Sequence, residues 1–125
     1  ALRVKSNIDS GMFKGLQVAG VVALKLDDAW HAERNEVYAE RREVCWQILD
    51  KLGFDYSKDQ EGMFIWAKPK AESGIKDIPV FIDNLLADKL IFFTPGMIFG
   101  SNGNDYLRLS LCVPVDRMKE ALGRL

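Results

Sequence analysis

Arg108 stands inside an apolar run near the end of the chain, Tyr106-Leu107-Arg108-Leu109-Ser110-Leu111-Cys112. A guanidinium in such a strand calls for a carboxylate or a phosphate, to which its planar fork offers two parallel donors at about 2.7–2.9 Å. Side chains alternate along a strand, so Tyr106, Arg108 and Ser110 share one face and Leu107, Leu109 and Leu111 the other. The leucine face reads as core and the Tyr-Arg-Ser face as the border of a cleft. The competing reading is an edge-strand arginine in water or paired with a nearby Asp, and spacing alone does not separate the two. Upstream, Gly96, Gly100 and Gly103 punctuate a loop. Their N–H groups could cradle an anion. They fit neither the phosphate-loop nor the dinucleotide fingerprint, and turn geometry accounts for them.

Other reactive side chains carry weaker signals. Lys5 precedes Ser6 and Asn7, with nothing around it to build the desolvated pocket that a Schiff-base lysine needs, so it reads as a surface lysine. Met63, Phe64 and Trp66 form an aromatic strand. Core packing is the first reading; the second assigns Phe64 to the lining of a substrate pocket. Cys45 and Cys112 lie on different predicted elements, and each reads as a small buried hydrophobe rather than half of a bridge. His31 has neither a cysteine nor a second histidine near it, which argues against a metal site.

These residues must be positioned by a small fold. The chain has 125 residues, 48% of them apolar, and a net charge of -1, enough for one domain with a core. Acidic and basic residues are mixed along it, with no basic stripe for nucleic acid. No apolar run reaches the length of a membrane span. The start has no signal-peptide cleavage pattern, so a cytoplasmic setting is expected.

Ser10 is a plausible N-cap for a helix whose residues 12–24 are apolar on nearly all sides. Such a helix is buried on all sides. In so short a chain that demands further partners, from a longer protein or an oligomer. Asp28 is expected to cap a helix over residues 29–52, with Trp30, Val37, Val44, Ile48 and Leu52 as its apolar stripe. Gly53 suits a left-handed C-terminal cap. Residues 54–56 and 63–68 read as strands, the second stopped by Pro69. Asp77 caps a further helix to about residue 88, with Pro79 in its first turn. Residues 90–94 form a strand, Asn102-Gly103 marks a tight reversal, residues 106–112 form another strand, and residues 115–125 close the chain as an amphipathic helix. Strands separated by helices imply an α/β (α+β) two-layer sandwich, a small sheet covered by helices.

Several segments, taken in order, also resemble a known family. Gln17, Ala19, Ala23 and Leu24 fit a Q-x-A-x-x-x-A-L helix, and Tyr38 with Arg41-Arg42 fits a Y-x-x-R-R segment. Gly62-Met63-Phe64-Ile65-Trp66 fits a G-M-F-x-W strand, residues 95–112 fit a P-G..F-G..G..Y-x-R-x-S-L stretch, and Glu120-Ala121-Leu122-Gly123-Arg124-Leu125 fits a closing E-A-L-x-R-L helix. Together they resemble the C-terminal small domain of class I/II aminotransferases, the fold-type I pyridoxal-phosphate enzymes.

The resemblance implies pyridoxal 5'-phosphate as cofactor, amino-acid and 2-oxo-acid substrates, and a homodimer. It implies that Arg108 holds the substrate α-carboxylate and that the glycine loop shapes the pocket. Residues 6–11 resemble a segment that approaches the partner subunit's active site, which brings in Asn7, although the proline often found there is missing. The family's large domain carries the cofactor lysine, the Asp facing the pyridine nitrogen and the phosphate-binding residues. This chain has no Ser-x-x-Lys followed by Gly-Trp-Arg. It is therefore expected to be a C-terminal fragment, with residues 1–26 as connecting segment and interdomain helix and residues 27–125 as the small domain. No catalytic, cofactor-binding or metal residue is assigned within it, and alone it is expected to be inactive. Carbon–sulfur lyase chemistry on the same fold and the identity of the amino donor stay open. The rival reading is a free-standing α/β module that binds a small carboxylate through Arg108.

Overall fold

The computed structural model of the chain describes residues 2–8 and 11–125. They fall into two compact units, Ala1–Asn35 and Glu36–Leu125.

The first unit holds helices α1 (Leu2–Ile8) and α2 (Lys14–Ala23) and the opening turns of α3 (Asp28–Leu52). Residues 1–7 carry no evident helix start, yet α1 forms, and Ser6 Oγ and Asn7 Nδ2 both donate to the Arg3 carbonyl. Helix α2 begins after Phe13, whose carbonyl accepts from the N–H groups of Leu16 and Gln17. The expected Ser10 cap lies outside the described residues. Helix α2 buries no side chain, and Leu16, Val18, Val21 and Val22 are each more than half exposed. The cap of α3 is Asp27 rather than Asp28: Asp27 Oδ1 accepts from Trp30 N at 2.9 Å, and Asp28 is already helical. A cap must sit just outside the helix to reach the free N–H groups of its first turn.

The second unit is an antiparallel sheet with helices packed on it. Its strands are β1 (Phe54–Tyr56), β2 (Phe64–Pro69), β3 (Thr94–Pro95) and β4 (Leu107–Ser110), in the order β1-β2-β4-β3. Gly53, at φ 75°, ends α3 in the left-handed conformation expected of it. The buried stripe of α3 is Val44, Cys45, Ile48 and Leu49; of the expected set Val44 and Ile48 are buried and Leu52 packs against the core, while Trp30 and Val37 stay exposed. Helix α4 (Ile78–Lys89) is capped by Asp77, whose Oδ1 accepts from Val80 N at 3.0 Å, with Pro79 in its first turn. It contributes Ile78, Ile82 and Leu85 to the core, and α5 (Val115–Arg124) contributes Met118. Phe54, Ile65, Ala67, Leu107 and Leu109 meet them from the sheet. This is the expected small sheet covered by helices, an α+β sandwich.

Two expectations about local structure fail. Residues 90–94 do not form one strand. Leu90 takes a left-handed conformation, φ 55° and ψ 39°, as the C-terminal cap of α4, so pairing begins only at Thr94. Asn102-Gly103 is not a hairpin turn. Residues 96–103 coil into two short 3-10 turns, Gly96–Phe99 and Ser101–Gly103. The thiols also differ: Cys45 is buried, whereas Cys112, two residues past the end of β4 in a turn, is exposed.

Candidate functional site

Strand β4 alternates as its sequence requires. Leu107 and Leu109 are buried and Arg108 and Ser110 half-buried, and Leu111 extends the leucine face into the core. Across the ladder Arg108 pairs with Trp66 and Ser110 with Phe64. Phe64 is therefore a diagonal, same-face neighbour of Arg108, within reach of an aromatic ring. Its ring centroid lies 4.0 Å from the Arg108 guanidinium carbon. A second ring, Phe99, lies 4.2 Å from the same carbon.

The glycine loop delivers Phe99. Gly96 N donates to Tyr106 O at 2.7 Å, closing the loop onto the start of β4. Gly96 and Gly103 touch backbone to backbone, and a Cβ on either would run into a carbonyl of the other. Gly100 adopts φ 118°, which an L side chain rarely tolerates. The edge of Trp66 backs Phe99 with centroids 5.4 Å apart, and Tyr106 packs on Trp66 at 6.2 Å. All three glycine N–H groups are used inside the loop, by Tyr106 O, Met97 O and Gly100 O. The turn reading of these glycines holds, and none of these three N–H groups is left over for an anion.

Helix α3 fastens the same strands from the other side. Arg41 Nη1 donates to Leu111 O at 2.9 Å and Arg42 Nη2 to Gly62 O at 3.2 Å. Tyr38 places its ring under Arg41 and its hydroxyl 3.6 Å from Met63 Sδ. The end of β4 and the entry to β2 are thus held by one stretch of α3.

Arg108 and Ser110 are among the residues around an open cavity of about 400 Å³, whose walls also include Thr94, the core residues Cys45 and Ile48, and Met118 of α5. Arg108 has no carboxylate within ion-pair distance among the described residues. Glu120, on the cavity wall, is already engaged: Arg124 and Arg117 bond its two oxygens and hold its carboxyl below the usual carboxylate range. The Arg108 guanidinium is thus half-buried, lies over two aromatic rings and has no ion-pair partner among the described residues.

The structure brings Phe64 and Arg108 together. Asn7 lies on α1 in the first unit, its side chain turned back to the Arg3 carbonyl. Phe99 was not singled out in the sequence. Its signal, an aromatic nine residues ahead of a strand arginine in a glycine-bounded turn, becomes legible only once the loop is folded. No charged side chain is buried among the described residues, so no lysine sits in the desolvated pocket that bonding to an aldehyde cofactor requires. The residues present do not by themselves make a pyridoxal-phosphate site. Nor is any group of three His, Cys, Asp or Glu among them placed to hold a metal ion. No helix among them is long and apolar enough to cross a membrane.

An antiparallel sheet under helices, with a half-buried arginine on the face opposite its leucines, defines a small α+β domain. Residues 4–125 match the family described as Aminotransferase class I and II, and the chain belongs to that family. It is 36% identical over 124 residues to an LL-diaminopimelate aminotransferase of Maridesulfovibrio salexigens, covering 98% of this chain and 31% of that protein. An aminotransferase structure from Staphylococcus aureus superposes with a TM-score of 0.75 at 28% identity, covering 98% of this chain and 32% of the other. An aromatic aminotransferase from Pyrococcus horikoshii OT3 does so with a TM-score of 0.71 at 27% identity, over 86% of this chain and 29% of the other. The chain thus spans about a third of the length of the curated relatives it matches.

Proposed function

We propose that this chain is the C-terminal part of a pyridoxal-phosphate-dependent aminotransferase that moves an amino group between an amino acid and a 2-oxo acid. Its own contribution is to bind the substrate α-carboxylate through Arg108. The observation that carries this reading is the half-buried Arg108 guanidinium, stacked by two rings and without an acidic partner among the described residues. Anchoring the carboxylate fixes the orientation of the substrate Cα, a positioning contribution to rate. Residues 27–125 are the carboxylate-binding small domain, and residues 1–26 link it to the rest of a homodimeric, cytoplasmic enzyme. Phe64 borders the substrate through Arg108, and Asn7 reaches the neighbouring subunit's site. The cofactor is held by the part of the protein that the relatives have beyond this chain's match. The relatives named as LL-diaminopimelate aminotransferases make that diamino acid the first donor to assay.

The test is Arg108→Lys in the full-length enzyme, with kcat/KM for the amino donor and cofactor absorbance read together. Lysine keeps the charge but loses the two-pronged contact. The expected loss is on the order of 2–5 kcal/mol in transition-state binding, with cofactor loading unchanged. An unchanged kcat/KM would remove Arg108 from the site.

A further inference from the structure

We infer that Asn102-Gly103 is a self-modification site, held unreactive by the folded glycine loop, at which loss of the Asn102 side-chain amide lengthens the backbone and opens that loop irreversibly. The chemistry does not depend on what Arg108 binds.

Among the asparagines of the chain, only Asn102 precedes a glycine. An asparagine side chain carries an electrophilic carbon, Cγ, that can close a five-membered ring with the backbone nitrogen of the next residue. When that residue is glycine, no Cβ hinders the approach. The Gly103 nitrogen yields its proton to hydroxide and bonds to Asn102 Cγ, and the side-chain amide leaves as ammonia with a proton from water. The cyclic imide then takes up water. Breaking its bond to Cγ gives aspartate. Breaking its bond to the main-chain carbonyl carbon gives isoaspartate, whose backbone runs through Cβ and Cγ and is longer by a single atom. Asn102 is exposed, so hydroxide and water reach it.

The native loop opposes the first step in three ways. Asn102 lies inside the 3-10 turn Ser101–Gly103. At the ψ of such a turn, about −20 to −30°, Cβ and the next nitrogen stand out of the common plane that ring closure requires. The Gly103 N–H is also engaged, donating to Gly100 O at 2.9 Å. Nor can Gly103 swing round to attack. Its backbone abuts that of Gly96, and its carbonyl accepts from Tyr106 N at 3.0 Å, while Gly96 N donates to Tyr106 O at 2.7 Å. Reaction therefore waits on an opening that frees these groups together, a local unfolding of the loop.

The same crowding gives the product its effect. An extra backbone atom between residues 102 and 103 displaces Gly103 from Gly96. The Gly96–Phe99 turn, whose Phe99 ring rests on the Trp66 edge at 5.4 Å, then loses its support. Aspartate at the same exposed position adds a charge and no length.

The experiment incubates the full-length protein at mildly alkaline pH, folded and in urea. Peptide mapping resolves the asparagine, aspartate and isoaspartate forms at residue 102, and hydrogen exchange gives the protection of the Gly103 amide. Conversion in the folded protein is expected to be at least about tenfold slower than in urea, and slowed by the same factor as the amide is protected, because one opening exposes both. Gly96→Ala, which forces the loop off Gly103, should remove most of that slowing. The isoaspartate form should melt below the wild type, and Asn102→Asp should melt with it. If Gly96→Ala does not fold, the match between slowing and amide protection sustains the inference. A folded rate equal to that in urea overturns it. So does a slowing unrelated to Gly103 protection, a folded Gly96→Ala that keeps the wild-type slowing, or an isoaspartate form that melts with the wild type.

Discussion

Trp66 lies directly opposite Arg108 in the β2–β4 ladder and meets Phe99 edge to face at 5.4 Å. One aromatic residue therefore joins the strand that carries the arginine to the loop that covers it. The Trp66 backbone is fixed in turn by a side chain. Beyond Tyr56, β1 has ended, and the Gln60 amide takes its place: Oε1 accepts from Trp66 N at 2.7 Å and Nε2 donates to Trp66 O at 2.9 Å.

Gln60→Ala removes both bonds from a partly buried edge. The expected cost is about 1–3 kcal/mol in stability, because the Trp66 N–H and carbonyl lose partners that water replaces only in part. Urea denaturation measures it. A change within error would show that water substitutes fully for the amide.

Gly96→Ala should be much worse. The added methyl collides with the Gly103 and Tyr106 carbonyls and with the Trp66 ring. Backbone oxygens cannot rotate away, so the loop must shift and carry Phe99 off Arg108. A loss of about 2–4 kcal/mol is expected, in the range of a core overpacking defect. A melting temperature equal to that of the wild type would contradict the close approach.

Leu90→Gly should stabilise the fold. Leu90 is 73% exposed and holds φ 55°, a left-handed conformation that costs an L residue free energy. Its cap hydrogen bond, Leu90 N to Leu86 O at 3.1 Å, is made by the backbone and survives the change. A gain of about 0.5–1 kcal/mol is expected, net of the greater freedom of glycine in the unfolded chain. Thermal unfolding of the two chains side by side is the measurement.

Cys45 and Cys112 should behave as opposites. Burial pushes the Cys45 thiol up from 9.0 to about 11. The folded state then holds a proton that the unfolded state releases first. The resulting stability is fully present below about pH 9 and is lost as pH rises through about 11, a fall of about 2–3 kcal/mol. Tyr56 moves in the same direction, chiefly through burial, so the informative quantity is the difference in slope between wild type and Cys45→Ala. Equal slopes would refute the assignment. A thiol reagent at neutral pH should label the exposed Cys112 at once and Cys45 only on unfolding.

The 125-residue chain alone should not catalyse transamination when given pyridoxal phosphate, an amino donor and a 2-oxo acid. No lysine among the described residues is buried to position the ring, and helix α2 leaves its apolar side chains exposed. The chain should self-associate through that surface. Sedimentation and an amino-acid assay test the two claims. Turnover, with cofactor bound to one lysine, would show a small enzyme complete in itself.

Much of this was legible in the residues because it depended on neighbours in sequence. The alternation around Arg108 follows from the pleat, the Asp77 cap and Pro79 from the free N–H groups of a first helical turn, and the Gly53 stop from its freedom at positive φ. Each signal lies within a few residues of its effect. One mismatch was equally local: Asp27 and Asp28 are adjacent acids, and only backbone geometry separates a cap from a first-turn residue.

Tertiary structure decided what depends on distant segments. An apolar stretch at residues 90–94 has strand character, but the α4 cap at Leu90 and its contact with Arg124 outweigh propensity. Nothing near Phe99 in sequence announces that it will lie on Arg108. That contact needs Gly96 to touch Gly103, Trp66 to oppose Arg108 and the ladder to hold its register. The sequence by itself determined that Arg108 would stand on the face of β4 opposite the leucines; packing over long separations decided which rings would lie against it.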